Sequence, residues 1–195
     1  KFIFASTSAV YGEHYKKIKE DTILTPISYY GSYKASSEMI IMTNSYLKNF
    51  EYHILRFPNV VGNGLTHGII YDFLDKLNKN NRTLKVLGDG TQNKQYIHLN
   101  DLIKTIFSIL KQSKKNNIIN IGYPNDRGIT VKKITEIFIN KISPKTKIIY
   151  GKTKYGWAGD VNKFDYSTRK LQSLGINLKG SSLDAIKKTI GDLRK

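Results

Sequence analysis

The chain has 195 residues, enough to bury a sizeable hydrophobic core as one or two small domains. It contains no cysteine, which excludes disulfides, a thiol nucleophile and a cysteine-ligated metal site, and fits a reducing compartment such as the cytoplasm. Lys and Arg number 32 against 15 Asp and Glu, a net charge of +17. Since no apolar run approaches the roughly 20 residues of a membrane span, we expect a cytoplasmic protein without a membrane partner.

The strong positive charge has two interpretations. A polyanionic partner such as nucleic acid is one, and a surface simply coated with lysine is the other. The basic residues are mostly lysine and form no long block, whereas two-pronged recognition of bases and phosphates favours arginine. We therefore expect no nucleic-acid partner, and keep a basic nucleic-acid-binding domain only as an alternative.

Hydrophobic patterning predicts a mixed α/β chain. The predicted strands are residues 2–5, 52–57, 84–87, 95–98, 118–121 and 147–149. The predicted helices are residues 29–48, 68–79, 100–112, 130–141, 167–174 and 182–193. Capping chemistry supports several helix starts, with Asp101 at or before one helix, Thr130 at the next and Ser181 before the last. In the first helix we expect the apolar residues to face the core, namely Met39, Ile40, Ile41, Tyr46 and Leu47.

A candidate proton-transfer site lies between the first strand and the first helix. Tyr30 and Lys34 share one helix face, and a lysine ammonium beside a phenol favours the phenolate, so that the tyrosine can exchange protons near neutral pH. Thr7 follows the first apolar strand, at the strand edge where open α/β sheets bind ligands. A hydroxyl there can hold the substrate oxygen that loses its proton.

The Tyr-x-x-x-Lys spacing alone is weak evidence, because it occurs four times in this lysine-rich chain. The other three pairs are Tyr15/Lys19, Tyr150/Lys154 and Tyr166/Lys170, in charged or loop-like stretches. Only Tyr30 opens a long predicted helix after a buried strand, and this context selects it.

Several blocks, in order along nearly the whole chain, resemble the extended short-chain dehydrogenases/reductases. The nearest branch is that of the NAD-dependent nucleotide-sugar epimerases and dehydratases. The matching blocks are residues 4–12 (FASTSAVYG), 30–38 (YGSYKASSE), 55–62 (LRFPNVVG), 87–102 (LGDGTQNKQYIHLNDL), 156–160 (GWAGD) and 174–175 (LG).

The resemblance implies roles for seven residues. Thr7, Tyr30 and Lys34 would be catalytic, with Thr7 also binding substrate, Tyr30 also binding the cofactor and Lys34 also binding the nicotinamide ribose. Phe57 and Pro58 would line the nicotinamide of NAD. Asn59 and Lys94 would contact the diphosphate of a nucleotide-diphosphate sugar, although Lys94 stands where many members carry arginine and supplies charge without a fork. His98 is better explained as structural, Asp101 as a helix cap, and Asp160 matches a family position without a derivable role.

The family fold implies the C-terminal part of a Rossmann-like parallel sheet plus a small α/β substrate-binding lobe. Residues 1–60 and 99–122 would complete the sheet, and residues 61–98 and 123–195 would form the lobe. The family's Gly-x-x-Gly-x-x-Gly segment, which holds the adenosine half of NAD, does not occur in these residues. We therefore expect a fragment of a longer protein, a homodimer at full length, whose first strand has an open edge.

The segment after Thr7 bears on the type of reaction. Family dehydratases place an Asp-Glu pair directly after the threonine, whereas Ser8 and Ala9 follow here. The resemblance therefore favours NAD-dependent epimerisation, with UDP-sugar C4 epimerisation first, and leaves a nucleotide-sugar reductase or dehydratase as the alternative. A catalytically inactive remnant that binds sugar nucleotide is the alternative from another class.

Overall fold

The computed structural model describes residues 1–14, 17–112, 116–161 and 165–193. The strands are β1 (Phe2–Thr7), β2 (Tyr52–Phe57), β3 (Asn59–Val61), β4 (Thr83–Val86), β5 (Asn93–Lys94), β6 (Tyr96–His98), β7 (Asn117–Asn120), β8 (Ile129–Thr130) and β9 (Lys147–Tyr150). The helices are α1 (Tyr29–Lys48), α2 (Ile69–Lys79), α3 (Leu99–Gln112), α4 (Val131–Ile142), α5 (Arg169–Ser173) and α6 (Ser182–Asp192), and a short 3₁₀ turn covers Ser8–Val10.

A three-stranded parallel sheet carries the amino-terminal part of the fold, with strand order β1-β2-β7. Its central strand β2 is buried over four consecutive residues, as a strand covered on both faces should be. The carboxyl ends of β1 and β2 lie side by side, because Thr7 is the register partner of Phe57. Within the described residues β1 is an edge strand, and Phe2 and Ile3 are exposed, as expected from the sequence.

The remaining strands form small pairs packed against the same core. The pairs β3–β6 and β4–β9 are parallel, and β5–β8 is antiparallel. One buried hydrophobic cluster runs from Leu55 and Ile119 of the sheet to Leu84 and Ile134 of the later elements. The rings of Phe73 and Phe138 meet edge to face in this cluster at 5.4 Å between centroids. The division into two interleaved lobes stays a prediction.

Helix α1 packs against the sheet with a face that the sequence did not indicate. Its buried residues are Gly31, Ala35, Glu38, Ile41 and Ser45. Met39, Ile40, Tyr46 and Leu47 are exposed, so the prediction that they face the core is wrong for all but Ile41. Small side chains at a spacing of three and four residues bring the helix close to the sheet, and its large apolar side chains point outward.

Two of the three predicted caps are confirmed. The side chains of Thr130 and Ser181 accept hydrogen bonds from the backbone N–H groups of Lys133 and Asp184, at the starts of α4 and α6. The cap role of Asp101 is wrong: it lies within the first turn of α3, where its carboxylate accepts a hydrogen bond from the Tyr123 hydroxyl at 2.7 Å. Over the described ranges, no helix has the length and apolar character needed to cross a membrane.

Candidate active site

A cleft of about 950 Å³ opens at the carboxyl ends of β1 and β2. This is where ligands of parallel α/β sheets bind, since loops and helix starts converge there. Six of the seven residues singled out from the sequence line it: Thr7, Tyr30, Phe57, Pro58, Asn59 and Lys94. The seventh, Lys34, lies next to this lining, beside the Tyr30 ring.

Thr7 has a hydroxyl proton available to the cleft. Its Oγ1 accepts a hydrogen bond from the Ala9 N–H at 3.2 Å, which caps the 3₁₀ turn and fixes the rotamer. A hydroxyl can accept twice and donate once, and within the described residues Thr7 Oγ1 makes no bond as a donor. Thr7 can therefore donate to an oxygen held in the cleft.

Tyr30 and Lys34 lie one helical turn apart at the start of α1. Tyr30 is 54% exposed, so its ring reaches the cleft instead of the core. The Lys34 ammonium lies 5.9 Å from the centroid of that ring and 4.8 Å from that of Phe4. It donates to the Ala5 carbonyl at 2.8 Å, which ties α1 to β1. An ammonium has three N–H groups, so donors remain for a ligand beside Tyr30.

Gly31 allows this helix start to approach the loop that carries Thr7. A Cβ built on Gly31 would lie 2.6 Å from the Ala9 carbonyl oxygen, closer than real contacts allow. Ser28 caps the helix, its hydroxyl accepting from the Gly31 N–H at 3.1 Å. The cap and the missing side chain together bring Tyr30 and Thr7 to the same cleft.

The end of β2 and the start of β3 contribute two apolar residues and one polar residue to the cleft. Phe57 is half-buried at the end of β2, and Pro58 is buried directly after it. Asn59 begins β3, is exposed, and donates through Nδ2 to the Gln95 carbonyl at 3.2 Å. Asn59 lines the cleft, and its amide oxygen makes no hydrogen bond within the described residues.

Lys94 lies on β5, on the segment next to Asn59, and is held in an ion pair. Its ammonium bonds the Asp160 carboxylate and the Val161 carbonyl, and both side chains of the pair are largely buried. The second Asp160 oxygen accepts from the Gly156 N–H at 3.0 Å. No role for Asp160 could be derived from the sequence. The structure shows that it anchors Lys94 to the segment that contains the cleft-lining Trp157.

A buried polar network below the cleft was missed from the sequence. Arg56 makes three charge-assisted hydrogen bonds to Glu38: Nε donates to Oε1 at 3.0 Å and to Oε2 at 3.2 Å, and Nη2 donates to Oε2 at 2.6 Å. Ser6 donates to the same carboxylate, and Arg56 Nη1 donates to the Tyr11 hydroxyl at 2.8 Å. One feature of the sequence could have indicated this network: Glu38 lies one turn beyond Lys34, on the helix face that carries Tyr30.

Burial and charge oppose each other in this network. Burial alone would lower the Arg56 pKa, but the hydrogen bonds and charge of Glu38 outweigh it and raise the pKa. Burial raises the pKa of Tyr11 to about 12, although the nearby Arg56 charge favours the phenolate. Arg56 therefore stays charged, and Tyr11 acts as a neutral hydrogen-bond bridge, donating to Asn120 at 2.7 Å.

The competing Tyr-x-x-x-Lys pairs lack this setting. Tyr150 lies on β9, and Tyr166 is buried, precedes α5 and donates to the Ile121 carbonyl at 2.9 Å. Tyr15 lies outside the described residues.

His98 is buried away from the cleft, accepts from the Asn100 N–H at 3.2 Å, and has a pKa lowered by burial, which agrees with a structural role.

A parallel sheet with a Tyr-x-x-x-Lys helix and a strand-end threonine at its carboxyl edge defines a Rossmann-like protein of the extended short-chain dehydrogenase/reductase class. More narrowly, residues 1–122 match the model of the NAD dependent epimerase/dehydratase family, and the chain belongs to that family.

Several known proteins are similar to this chain. A Methanocaldococcus jannaschii protein assigned as a UDP-glucose 4-epimerase is 31% identical over 97% of the chain and 62% of its own length. A crystal structure of a UDP-galactose 4-epimerase superposes with a TM-score of 0.84 at 30% identity, covering 98% of this chain and 62% of that one. Human dTDP-D-glucose 4,6-dehydratase is 26% identical over 97% of the chain and 55% of its length. The chain thus spans about three-fifths of the length of these relatives.

The residues present fit the nicotinamide end of NAD, the cofactor of the family. Phe57 and Pro58 offer a flat apolar wall at the strand end, and the Lys34 ammonium has N–H groups free for ribose hydroxyls. A flat apolar wall suits the face of an aromatic ring, and N–H donors suit the oxygens of a diol.

Proposed function

We propose that the protein containing this chain is an NAD-dependent nucleotide-sugar epimerase that inverts C4 of a UDP-sugar by transient oxidation. The observation that carries the proposal is the shared cleft of Thr7 and Tyr30, with the Lys34 ammonium beside the Tyr30 ring. Relatives assigned or titled as 4-epimerases of UDP-sugars support this substrate class.

The chemistry required of this chain is the movement of one proton. NAD supplies, when bound, the acceptor and later the donor of a hydride. Tyr30 takes the proton from the sugar hydroxyl as the carbon is oxidised, and returns it on reduction. Thr7 donates a hydrogen bond to the same oxygen. The Lys34 ammonium, 5.9 Å from the centroid of the Tyr30 ring, lies beside the group that takes the proton.

Asn59 and Lys94 are proposed to bind the diphosphate. Asn59 faces the cleft from β3 and Lys94 from β5, on neighbouring segments joined by the Asn59–Gln95 hydrogen bond. The bond from Lys94 to Asp160 offsets part of its charge, so Lys94 acts as an oriented hydrogen-bond donor more than as a free cation.

The acidic residues of the cleft are paired with lysines, and this favours epimerisation over dehydration. Water loss from the sugar needs an additional carboxylic acid or carboxylate near the reacting carbons. Among the described residues lining the cleft, the carboxylates are Asp72 and Asp160, paired with Lys76 and Lys94 respectively. Ser8 and Ala9, which also line the cleft, carry none.

A homodimer is proposed for the natural protein. Its support is the outward face of α1, where Tyr29, Tyr33, Ile40 and Leu47 form an exposed apolar stripe at spacings of four and seven residues. The rings of Tyr29 and Tyr33 stack at 6.5 Å between centroids. An exposed stripe of four large apolar side chains is typical of a contact surface.

We also propose a cytoplasmic location, on the cysteine-free composition alone.

The test is an assay of the natural protein with NAD and UDP-sugars that differ only at C4. The proposal expects interconversion, with the bound cofactor regenerated in each cycle. Tyr30→Phe should lower kcat by about 100- to 10,000-fold because it removes the acid/base group. Tyr33→Phe is the matched control, since Tyr33 is exposed on the same helix outside the cleft lining and should retain full activity. Net consumption of reduced cofactor would indicate the reductase instead, and equal activity of both variants would refute the role of Tyr30.

A further inference from the structure

Three buried polar residues lie on the segments that carry Thr7, Tyr30 and Phe57 into the cleft. Ser6 immediately precedes Thr7 on β1, Glu38 lies one turn beyond Lys34 on α1, and Arg56 immediately precedes Phe57 on β2. Their exposed fractions are 1%, 0% and 3%. None of the three lines the cleft, so a substrate held there does not touch them.

The Glu38 carboxylate joins these segments into one unit. One oxygen accepts from Ser6 Oγ and from Arg56 Nε, and the other accepts from Arg56 Nη2. Ser6 and Arg56 are register partners across β1 and β2. The helix is thereby bonded to both strands through a single side chain, two turns along α1 from Tyr30, the proposed acid/base group.

Apart from Glu38, the contact between α1 and the sheet consists mostly of small side chains and one lysine. The buried residues of α1 are small apart from Glu38 and Ile41. Lys34 adds one hydrogen bond, to the Ala5 carbonyl at 2.8 Å, and a single bond from a flexible lysine does not define the axial position of the helix. The two-pronged bond of Arg56 has fixed geometry and can set that position.

Stability alone is a weak explanation for this arrangement. Desolvating two charges costs about as much as their attraction returns, and apolar replacements of buried ion pairs are often neutral or stabilising. An ion pair is better explained where the geometry itself matters. Proton transfer is such a case, since donor and acceptor must approach to about 2.6–3.2 Å.

We infer that Glu38, Arg56 and Ser6 form a positioning unit that sets Tyr30 and Lys34 relative to Thr7 for proton transfer. The inference rests on the proposed function, because it needs Tyr30 to be the acid/base group. These are positioning residues: they act through Tyr30, Lys34 and Thr7 and have no contact with the cleft.

The first experiment separates positioning from folding in the natural protein. Glu38→Gln keeps the shape but removes the charge, and should lower kcat by about 100-fold, the cost of a misplacement of about 1 Å, with little change in KM. The control is Ile134→Ala, a fully buried change in α4 outside the cleft lining. It should lower the melting temperature at least as much while kcat at a temperature where both variants are folded stays near the wild-type value.

A gentler variant keeps the inference testable if Glu38→Gln does not fold. Ser6→Ala removes only one donor to Glu38 and leaves the ion pair in place. If Ser6 acts through Tyr30, the severalfold loss of kcat expected in the wild type should disappear in the Tyr30→Phe background. A loss that persists in full in that background contradicts the inference, because it would mean that Ser6 acts independently of proton transfer.

The outcomes distinguish this inference from the proposed function. If the wild type is active, Tyr30→Phe is not, and both Glu38→Gln and Ser6→Ala keep the wild-type kcat, the positioning unit is wrong and the proposed function stands. If Tyr30→Phe retains full activity, both are overturned. A kcat loss in Glu38→Gln and Ser6→Ala that Ile134→Ala does not share supports both.

Discussion

At the scale of single residues, the same chemical pairing has very different consequences at Arg56 and at Lys79. Arg56 is buried against Glu38, whereas Lys79 pairs with Asp75 on the surface of α2 at 2.7 Å. Arg56→Met leaves an uncompensated buried carboxylate and should lower the free energy of unfolding by about 3–5 kcal/mol. Urea denaturation of the natural protein measures this.

Lys79→Met is the control for Arg56→Met. An exposed pair is screened by water and contributes little, so the denaturation midpoint should not move. A comparable loss in both variants would contradict the burial argument, since surface and buried pairs would then contribute alike.

A second prediction at this scale concerns acid stability. His53 is fully buried in β2, neither ring nitrogen has a hydrogen-bond partner in the described part of the chain, and its pKa is lowered by burial and then by the nearby Lys1 charge. As the pH falls below about 6.5, the unfolded chain takes up the proton first. The free energy of unfolding should therefore decrease on acidification through this region.

Urea denaturation at a series of pH values measures the effect. His53→Leu should reduce the dependence on pH, with His98 supplying a remainder because its pKa is lowered too. An unaltered profile in His53→Leu would show that His53 is not responsible.

At the scale of elements, the close approach of α1 to the 3₁₀ turn depends on Gly31. Gly31→Ala places a Cβ 2.6 Å from the Ala9 carbonyl and 3.0 Å from the Pro26 Cβ, so the helix start must shift. The expected cost is about 1–3 kcal/mol of stability, together with a lower kcat because Tyr30 moves with the helix. Thermal unfolding and the epimerase assay report the two effects separately.

Gly191 is the matched control for this change. It lies in α6, and a Cβ there would meet no atom within 4 Å. Gly191→Ala should therefore stabilise the protein, by up to about 1 kcal/mol, through helix propensity alone. Destabilisation at Gly191 equal to that at Gly31 would contradict the close-approach explanation.

Most elements could be predicted from the sequence because their signals are local. β2 and α1 have the predicted bounds, Tyr52–Phe57 and Tyr29–Lys48. The short strands β3 and β8 were missed, since two or three residues carry no periodicity and pair only through tertiary contacts.

The outward face of α1 was mispredicted for a related reason. A hydrophobic side chain signals burial, but the sequence does not say whether a core or another surface covers it. The cleft residues were found through Tyr30, Lys34 and the family blocks. Arg56 and Glu38 were not, because their pairing joins a strand and a helix, and only the packing of α1 on the sheet brings the two side chains together.

At the scale of the whole molecule, the apolar stripe on α1 leads to a prediction about assembly. Ile40 lies at its centre and is 61% exposed. Ile40→Arg should convert a dimer of the natural protein into monomers, because a charge at the centre of an apolar contact must be desolvated without a partner. Sedimentation velocity measures the change.

Phe107 on α3 is an equally exposed apolar residue away from the stripe. Phe107→Arg should therefore leave the dimer intact. A wild-type monomer, or a dimer that survives Ile40→Arg, would show that the stripe has another role.

Two adjacent residues of β1 contact two different sites, the buried polar network and the cleft. Successive strand residues point to opposite faces, so Ser6 reaches the buried carboxylate of Glu38 while Thr7 reaches the cleft. Removing or adding one residue within this strand would exchange the two directions and lose both functions together. Divergence within β1 is thus restricted to replacements that keep its length, whereas the cleft-lining residues Asn59, Lys94 and Trp157 belong to other segments and lie outside this restriction.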